Sequence, residues 1–334
     1  MENKRSIKNI LITGGAGFIG SNFTHQTLGR DDFSGKIVNL DKLTYAGDLR
    51  NLEELPAQDR YVFVQGDIND SELVLKILKE HDIDTIVHMA AESHVDRSIS
   101  SPREFIETNV MGTFSMLNCA KQYWGDRKDV LFHHVSTDEV FGSLGETGFF
   151  VEDTPYDPRS PYSASKASSD HFARAFYHTY KLPVTISNCS NNYGPRQNPE
   201  KLIPLMITNM LKGKSLPVYG KGENIRDWIY VDDHNHGIWE IINNGKVGET
   251  YNLGGRNEAK NIDLVNLLCE VVAKHTDHSA EDYKKLITYV TDRPGHDFRY
   301  AIDSTKIETE LNWKNQESFE SGLEKTVQWY LKQE

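Results

Sequence analysis

Gly14-Gly15-Ala16-Gly17-Phe18-Ile19-Gly20 lies between an apolar run at 9–13 and a stretch of helical spacing at 18–28. Glycine at the turn tolerates positive φ, and glycine further on lets backbone N–H groups reach a pyrophosphate at the positive end of a helix. Taken alone, the loop also reads as a tight turn. Its setting favours the first reading: a strand precedes, a helix follows, and Asp41 ends the next apolar run about 20 residues after Gly20. A carboxylate there accepts hydrogen bonds from ribose hydroxyls and repels a 2′-phosphate, which favours NAD over NADP. The plainer reading of Asp41 is a solvated strand-end carboxylate. Gly14, Gly17, Gly20 and Asp41 are the first cofactor candidates.

Apolar runs at 9–13, 36–41, 61–67, 85–91, 130–137 and 183–190 alternate with helical patterns near 18–28, 72–81, 102–123 and 163–180. Continuous apolar strands separated by helices predict an α/β chain with a doubly wound, parallel, Rossmann-type sheet covered on both faces. Ligands of such sheets sit beyond the carboxyl ends of the strands, here just after Thr13, Asp41, Asp67, Ala91, Thr137 and Ser190. The pattern changes after Tyr193: 191–201 and 217–228 read as loops, 251–254 as one more strand, and helices dominate from Ile262 onward, interrupted at 292–297. A length of 334 residues suits about two domains of ~150 residues. We expect an NAD-binding unit at 1–195 plus 229–257. A smaller, partly discontinuous, mainly helical unit at 196–228 plus 258–334 would hold the substrate.

The 37 Lys and Arg against 49 Asp and Glu give a net charge of −12, a field that repels polyanions and makes nucleic acid a poor partner. The amino-terminal stretch runs straight into strand and glycine loop, so neither a signal peptide nor a membrane span is expected. Cys119, Cys189 and Cys269 are far apart and lack CxxC spacing, which reads as buried free thiols in a reducing compartment, by default the cytoplasm. His133-His134 and His234-x-His236 lack partners at ligand spacing, and strand neighbours face opposite ways, so no metal is expected. Trp124, Trp228 and Trp313 read as packing residues.

Asp67 and Ile68 follow the third strand and are placed to flank an adenine, although Gly66-Asp67 alone passes for a turn. Ala90 and Ala91 end the fourth strand with side chains small enough for a cofactor to lie close, or for ordinary helix–sheet packing. Tyr162 and Lys166 are four residues apart, hence on one face of a helix. A nearby ammonium lowers a tyrosine pKa from about 10, which would make Tyr162 a base for a hydroxyl proton while hydride leaves the same carbon. The spacing alone usually marks a solvated helix face. Thr137, at the end of the intervening strand, can hydrogen-bond the same oxygen.

With these residues the chain resembles the extended short-chain dehydrogenase/reductase family of sugar-nucleotide enzymes, the NAD-dependent epimerases and dehydratases, over essentially its whole length. Ser136-Thr137-Asp138-Glu139-Val140-Phe141-Gly142, Ala90-Ala91-Glu92-Ser93-His94-Val95-Asp96-Arg97-Ser98, Asn188-Cys189-Ser190-Asn191-Asn192-Tyr193-Gly194-Pro195, Pro199-Glu200-Lys201-Leu202-Ile203-Pro204 and Asp292-Arg293-Pro294-Gly295-His296-Asp297 are similar to its dehydratases. The resemblance implies dTDP-glucose as substrate and dTDP-4-dehydro-6-deoxyglucose as product, on a route to deoxysugars such as rhamnose. It also implies a homodimer with the helices near 102–123 and 162–180 at its interface. Oxidation at C4 makes the C5 hydrogen labile; Glu139 would remove it, Asp138 would protonate the leaving C6 hydroxyl, and hydride would return to C6. The physics asks only for a base and an acid with their pKa values pushed apart. Two exposed loop acids are the plain alternative for this pair.

The resemblance extends the cofactor set to Phe18, Ile19, Lys42, Thr44, Ser93, Thr108, Tyr162, Lys166 and Asn192. Arg226 and Arg293 are the candidates for paired hydrogen bonds to phosphate oxygens, Arg226 reading equally as a surface partner of Asp227. Lys201, Leu202 and Asn261 match diphosphate and nucleoside contacts, Pro217, Val218 and Tyr219 a base contact, and Asn191 a sugar or phosphate contact. Ser93 and Thr137 lie where substrate and cofactor meet, and His296 joins the substrate set. Arg196-Gln197-Asn198 departs from the pattern, where an aromatic is expected early in this stretch. Two other readings stay open, a nucleotide-sugar C4 epimerase and a catalytically silent NAD-sensing protein.

Overall fold

The computed structural model describes residues 5–333. Its strands are β1 (Asn9–Thr13), β2 (Lys36–Asp41), β3 (Tyr61–Gln65), β4 (Thr85–His88), β5 (Leu131–Thr137), β6 (Val184–Cys189), β7 (Asn191–Tyr193), β8 (Leu216–Tyr219), β9 (Ile225–Tyr230), β10 (Thr250–Leu253), β11 (Glu258–Lys260) and β12 (Ile287–Val290). Seven of them form one sheet in the order β10-β6-β5-β4-β1-β2-β3, every neighbouring pair parallel. The doubly wound parallel sheet expected above is therefore present. Its strand order reverses between β1 and β4, which opens the crevice where such sheets bind ligands. Three expected strands end early, β3 at Gln65, β4 at His88 and β6 at Cys189. At each, the chain leaves the sheet to form the floor of that crevice.

Successive side chains of a strand point to opposite faces, and the core divides accordingly. Leu11 faces a layer with Ile77, Leu117 and Phe176, whereas Ile10 and Ile12 face one with Phe23, Ile238 and Trp239. The first layer is supplied by α2 (Ser71–Glu80), α5 (Thr113–Trp124) and α6 (Pro161–Tyr180), and the second by α1 (Phe18–Leu28) and α8 (Val231–Asn244). The other α-helices are α3 (Val95–Ser100), α4 (Pro102–Phe105), α7 (Leu202–Leu211), α9 (Asn261–Ala273), α10 (Ala280–Lys284), α11 (Thr305–Leu311) and α12 (Phe319–Leu331). Both layers are fully covered, so the near-continuous apolar character of the central strands follows. Trp313, with no exposed surface, and Ile307 join the second layer although they lie far along the chain. A third core gathers Met206, Trp228, Leu268 and Leu323 beneath the short sheets β11-β9-β7 and β12-β8. Trp124 and Trp228 are buried as well, and all three cysteines are buried and free.

Candidate active site

A cavity of about 680 Å³ opens along the carboxyl ends of the parallel strands. Every residue expected to touch the cofactor lines it, from Gly14, Gly17, Phe18, Ile19 and Gly20 through Asp41, Lys42, Thr44, Asp67 and Ile68. Ala90, Ala91, Ser93, Thr108, Tyr162, Lys166 and Asn192 complete that lining. Gly14 has φ +74, and a Cβ there would sit 2.8 Å from the Ala90 Cα. A Cβ on Gly20 would fall 2.5 Å from the Gly14 carbonyl oxygen, so turn and helix close on each other only with glycine. No side chain caps α1, whose N-cap is Gly17. Its first-turn N–H groups are left for an anion. Asp41 holds the loop from below, accepting from the amides of Ala16 (2.9 Å) and Leu43 (2.8 Å). Lys42 bridges to Asp67 at 2.7 Å across the far end of the cavity.

The opposite end carries the reactive groups. Thr137, the last residue of β5, leads into a short turn that holds Asp138 buried and Glu139 against the cavity. Ser160 and Ser163 form a reciprocal cap with Pro161 in the first turn of α6, which fixes Tyr162 at the mouth of the site. Burial, then Glu139, pushes the Asp138 carboxyl well above the ordinary range. Burial also raises Glu139, and Arg293, Arg226 and Lys201 oppose that rise without reversing it. Both carboxyls are raised by burial, Asp138 the more because its neighbours are mainly carboxylates and Glu139 the less because three cations face it. Asp138 Oδ2 has no hydrogen-bond partner among the described residues, while its Oδ1 accepts from Thr137 at 3.3 Å.

The expected lowering of the Tyr162 pKa does not occur. Burial, then Glu139 and Cys189, hold the phenol well above its ordinary value, with only a bond to Thr137 opposing them. Lys166 is buried and donates to the Val135 carbonyl at 2.9 Å, so its charge is spent on the strand rather than on the phenol.

Asn191 and Lys201 line the cavity, Lys201 donating to the Ser93 carbonyl at 2.8 Å. Leu202, Pro217, Val218, Tyr219, Arg226, Asn261, Arg293 and His296 lie outside its lining. They cluster in the third core and the loop after β12. Leu202 and Val218 pack into that core; Val218 is buried and Pro217 shares its strand. Tyr219 is half exposed, donates to Asp96 at 3.1 Å and meets the His296 ring edge-on. Arg293 reaches the same Asp96 at 3.4 Å, with its Nε buried and unpartnered. Asn261 Oδ1 is likewise buried without a partner among the described residues. Arg226 is no surface ion pair: it is buried, donates to the carbonyls of Ile225 (2.7 Å) and Asp297 (3.0 Å), and lies 4.2 Å over the Tyr300 ring. Asp227 instead accepts from the amides of Gly255 and Asn257.

The departure at 196–198 is absorbed as lacing: Arg196 donates to Asn22, Gln197 to the Asn192 carbonyl and Asn198 to the Tyr45 carbonyl. Sequence reasoning missed His234, which is buried and lies 2.8 Å from the Asn192 amide oxygen. Burial alone takes it down to about 3, so it stays neutral and fixes which way that amide points. No spacing rule could have paired residues 42 positions apart.

The profile of the family described as GDP-mannose 4,6 dehydratase matches residues 11–326. A probable dTDP-glucose 4,6-dehydratase of Sinorhizobium fredii is 55% identical over 96% of this chain and 92% of its own length. The dTDP-glucose 4,6-dehydratase DesIV of Streptomyces venezuelae, solved with NAD and TYD bound, superposes with a TM-score of 0.88 at 46% identity over 97% of each chain. That of Bacillus anthracis, solved in complex with NAD, gives 0.86 at 49% identity over 97% of each chain. With its glycine loop, its Thr137, Tyr162 and Lys166 and its adjoining carboxyls, the chain belongs to the dTDP-glucose 4,6-dehydratase family of extended short-chain dehydrogenases/reductases.

Proposed function

We propose that the chain is a hydro-lyase that converts dTDP-glucose to dTDP-4-dehydro-6-deoxyglucose with NAD as its recycled cofactor. The observation that carries this reading is the placement of Asp138 and Glu139, side by side at the end of β5, where burial and the neighbouring carboxylates hold Asp138 well above the ordinary range while Arg293, Arg226 and Lys201 limit the rise of Glu139. The uncapped helix, the glycine cradle and Asp41 fit a dinucleotide, its pyrophosphate at the α1 N-terminus and its ribose at Asp41. NAD in that cradle supplies a reversible hydride store for C4 and C6, so the reaction has no net redox change.

The protein's own groups do the rest. Tyr162 and Thr137 receive the C4 hydroxyl; Tyr162 takes its proton as the carbonyl forms once the phenol is ionised, an ionisation that the positive charge of bound NAD would favour against the burial that opposes it. The new carbonyl makes the C5 hydrogen labile; Glu139 removes it as a proton and, so protonated, returns a proton to C5 when C6 is reduced. Asp138, held neutral, gives its proton to the departing C6 hydroxyl. Arg226, Arg293, Lys201 and Asn261 would hold the diphosphate, and Pro217, Val218 and Tyr219 the base. Incubation with dTDP-glucose and NAD should yield a product lighter by one water. An isomer of unchanged mass would select the epimerase, which has no use for an acid–base pair at C5 and C6; NAD binding without any turnover would select the silent reading.

The nucleotide unit is assigned to 1–195 plus 229–257, and the rest of the chain to substrate binding. We also assign a homodimer: Ile106, Met111 and Phe114 beside Phe172 and Tyr180 leave an apolar face exposed along the helices near 102–124 and α6, with Phe114 and Phe172 in edge contact. Sedimentation at micromolar concentration checks it. No described helix is long and apolar enough to cross a membrane, and three free cysteines suit a reducing compartment, so the cytoplasm is the assigned location.

A further inference from the structure

One helical turn beyond Lys166 lies a second charged group that the reaction scheme does not use. Asp170 has no exposed surface, nor does its neighbour His134, whose Nε2 lies 3.1 Å from Asp170 Oδ1. Its Oδ2 accepts from Ser136 Oγ at 2.9 Å and from the Tyr156 hydroxyl at 2.8 Å. Asn188 Nδ2 stands 3.5 Å from the same oxygen and 3.0 Å from the Thr137 carbonyl. One carboxylate thereby touches the strand that ends in Thr137 and the helix that carries Tyr162 and Lys166. A buried carboxylate without a role would be costly, because an isolated charge in the interior loses several kcal/mol of solvation.

We infer that Asp170 is a positioning residue of the dehydratase: its negative charge, one helical turn from Lys166, keeps that lysine an ammonium inside the dry site, and its hydrogen bonds tie the helix that carries Lys166 to the strand end that bears Thr137. The inference rests on the function proposed above. Burial lowers the Lys166 ammonium, and Asp170 is the largest influence opposing it. Burial pushes the Asp170 carboxyl up, but His134, Lys166 and Ser136 together take it below its ordinary value. The titratable groups facing Asp170 are Lys166 and Arg174 from its own helix, His134 of β5 with His88 of β4 stacked behind it, and Tyr156 from the preceding loop. Cys189 of β6 faces Lys166. Burial lowers both histidines, His88 strongly, so neither replaces the lysine as a cation at neutral pH.

The test uses the NAD-loaded enzyme with Glu139→Gln as background, where elimination is blocked and reduced nicotinamide accumulates on addition of dTDP-glucose. Its absorbance then reports C4 oxidation alone, free of the acid step at Asp138. Adding Asp170→Asn keeps the shape and removes the charge. Losing an anion lowers the pKa of a neighbouring cation, so the alkaline limb of the rate profile should move down by at least about one pH unit. KM for the nucleotide sugar should stay within about twofold. A profile superimposable on that of the background, in an enzyme that does reduce its nicotinamide, would overturn the inference. Failure of the parent proposal looks different, since no reduced nicotinamide forms in any variant.

A second arm needs no substrate and serves if Asp170→Asn alone does not fold. Lys166→Met strands the carboxylate, and Lys166→Met/Asp170→Asn removes both charges. The double variant should melt several degrees above the single at neutral pH, with the gap closing as acid protonates Asp170. A double variant no more stable than Lys166→Met would also overturn the inference.

Discussion

On the nucleotide wall of the cleft, Thr137, Tyr162 and Lys166 sit on a strand and a helix, each less than a tenth exposed. A second wall, beyond the lining of that cavity, carries Tyr219 at a strand end and Arg293 in a loop, each with one bond to the half-exposed Asp96. Bond making needs reacting groups fixed to a fraction of an ångström, which packed elements provide. Binding a flexible nucleotide needs charged groups that can exchange one partner for another, which loops provide. If that division is right, substitutions on the first wall lower kcat and those on the second raise KM.

The largest expected effect is that of Tyr162→Phe, a fall in kcat of about 10²–10⁴ with KM nearly unchanged. Steady-state kinetics that showed mainly a KM change would break the contrast between the walls. Glu139→Gln should cost about 10²–10³ in turnover while nicotinamide reduction survives and solvent deuterium no longer enters at C5. Full turnover in this variant would remove Glu139 from the scheme. Arg293→Ala should raise KM for the nucleotide sugar about 10- to 100-fold, the worth of a charge-assisted hydrogen bond, with kcat within about fivefold.

A smaller effect concerns stability. The Asp138 carboxyl lies well above the ordinary range when folded, so the folded chain binds a proton that the unfolded chain has already released. Stability therefore falls as pH rises from the ordinary carboxylate range towards the folded value, by about 1.4 kcal/mol for each unit of separation. Asp138→Asn lacks this loss and should melt above the parent chain by a margin that widens with pH, as calorimetry would show. Asp96→Asn should do least, under about 1 kcal/mol in stability, because its partners share the surface with water. A large change in KM for that variant would sharpen the comparison by moving Asp96 into the binding wall.

Much of this was legible in the sequence because periodicity and local motifs carry it. The range of β1 and that of α1 come directly from the apolar pattern around the glycine loop. The strands β7, β8, β9, β11 and β12 are not foreseen; β7, β8 and β9 fall in or across the stretches 191–201 and 217–228 read as loops, and strands of three to six residues that pair across long separations show little period. The residues that line the cavity are visible as motifs, but their electrostatics are not. Spacing places Lys166 beside Tyr162; only the fold shows that Val135 takes its proton donor and that Glu139 faces the phenol. Asp170 escaped notice because an acid on an amphipathic helix ordinarily faces water. Arg226 could be placed only once its bonds to Ile225 and Asp297 were seen.

The strand that closes one side of the large sheet, β10, arrives only after the chain has left to build β7, β8 and β9 and come back. During synthesis on a ribosome, β6 therefore waits with a bare edge, its buried residues Val184 and Ile186 open to other nascent chains until residue 250 emerges. Truncations ending before β10 should precipitate, whereas clipping the last residues after α12 (Phe319–Leu331) should be tolerated.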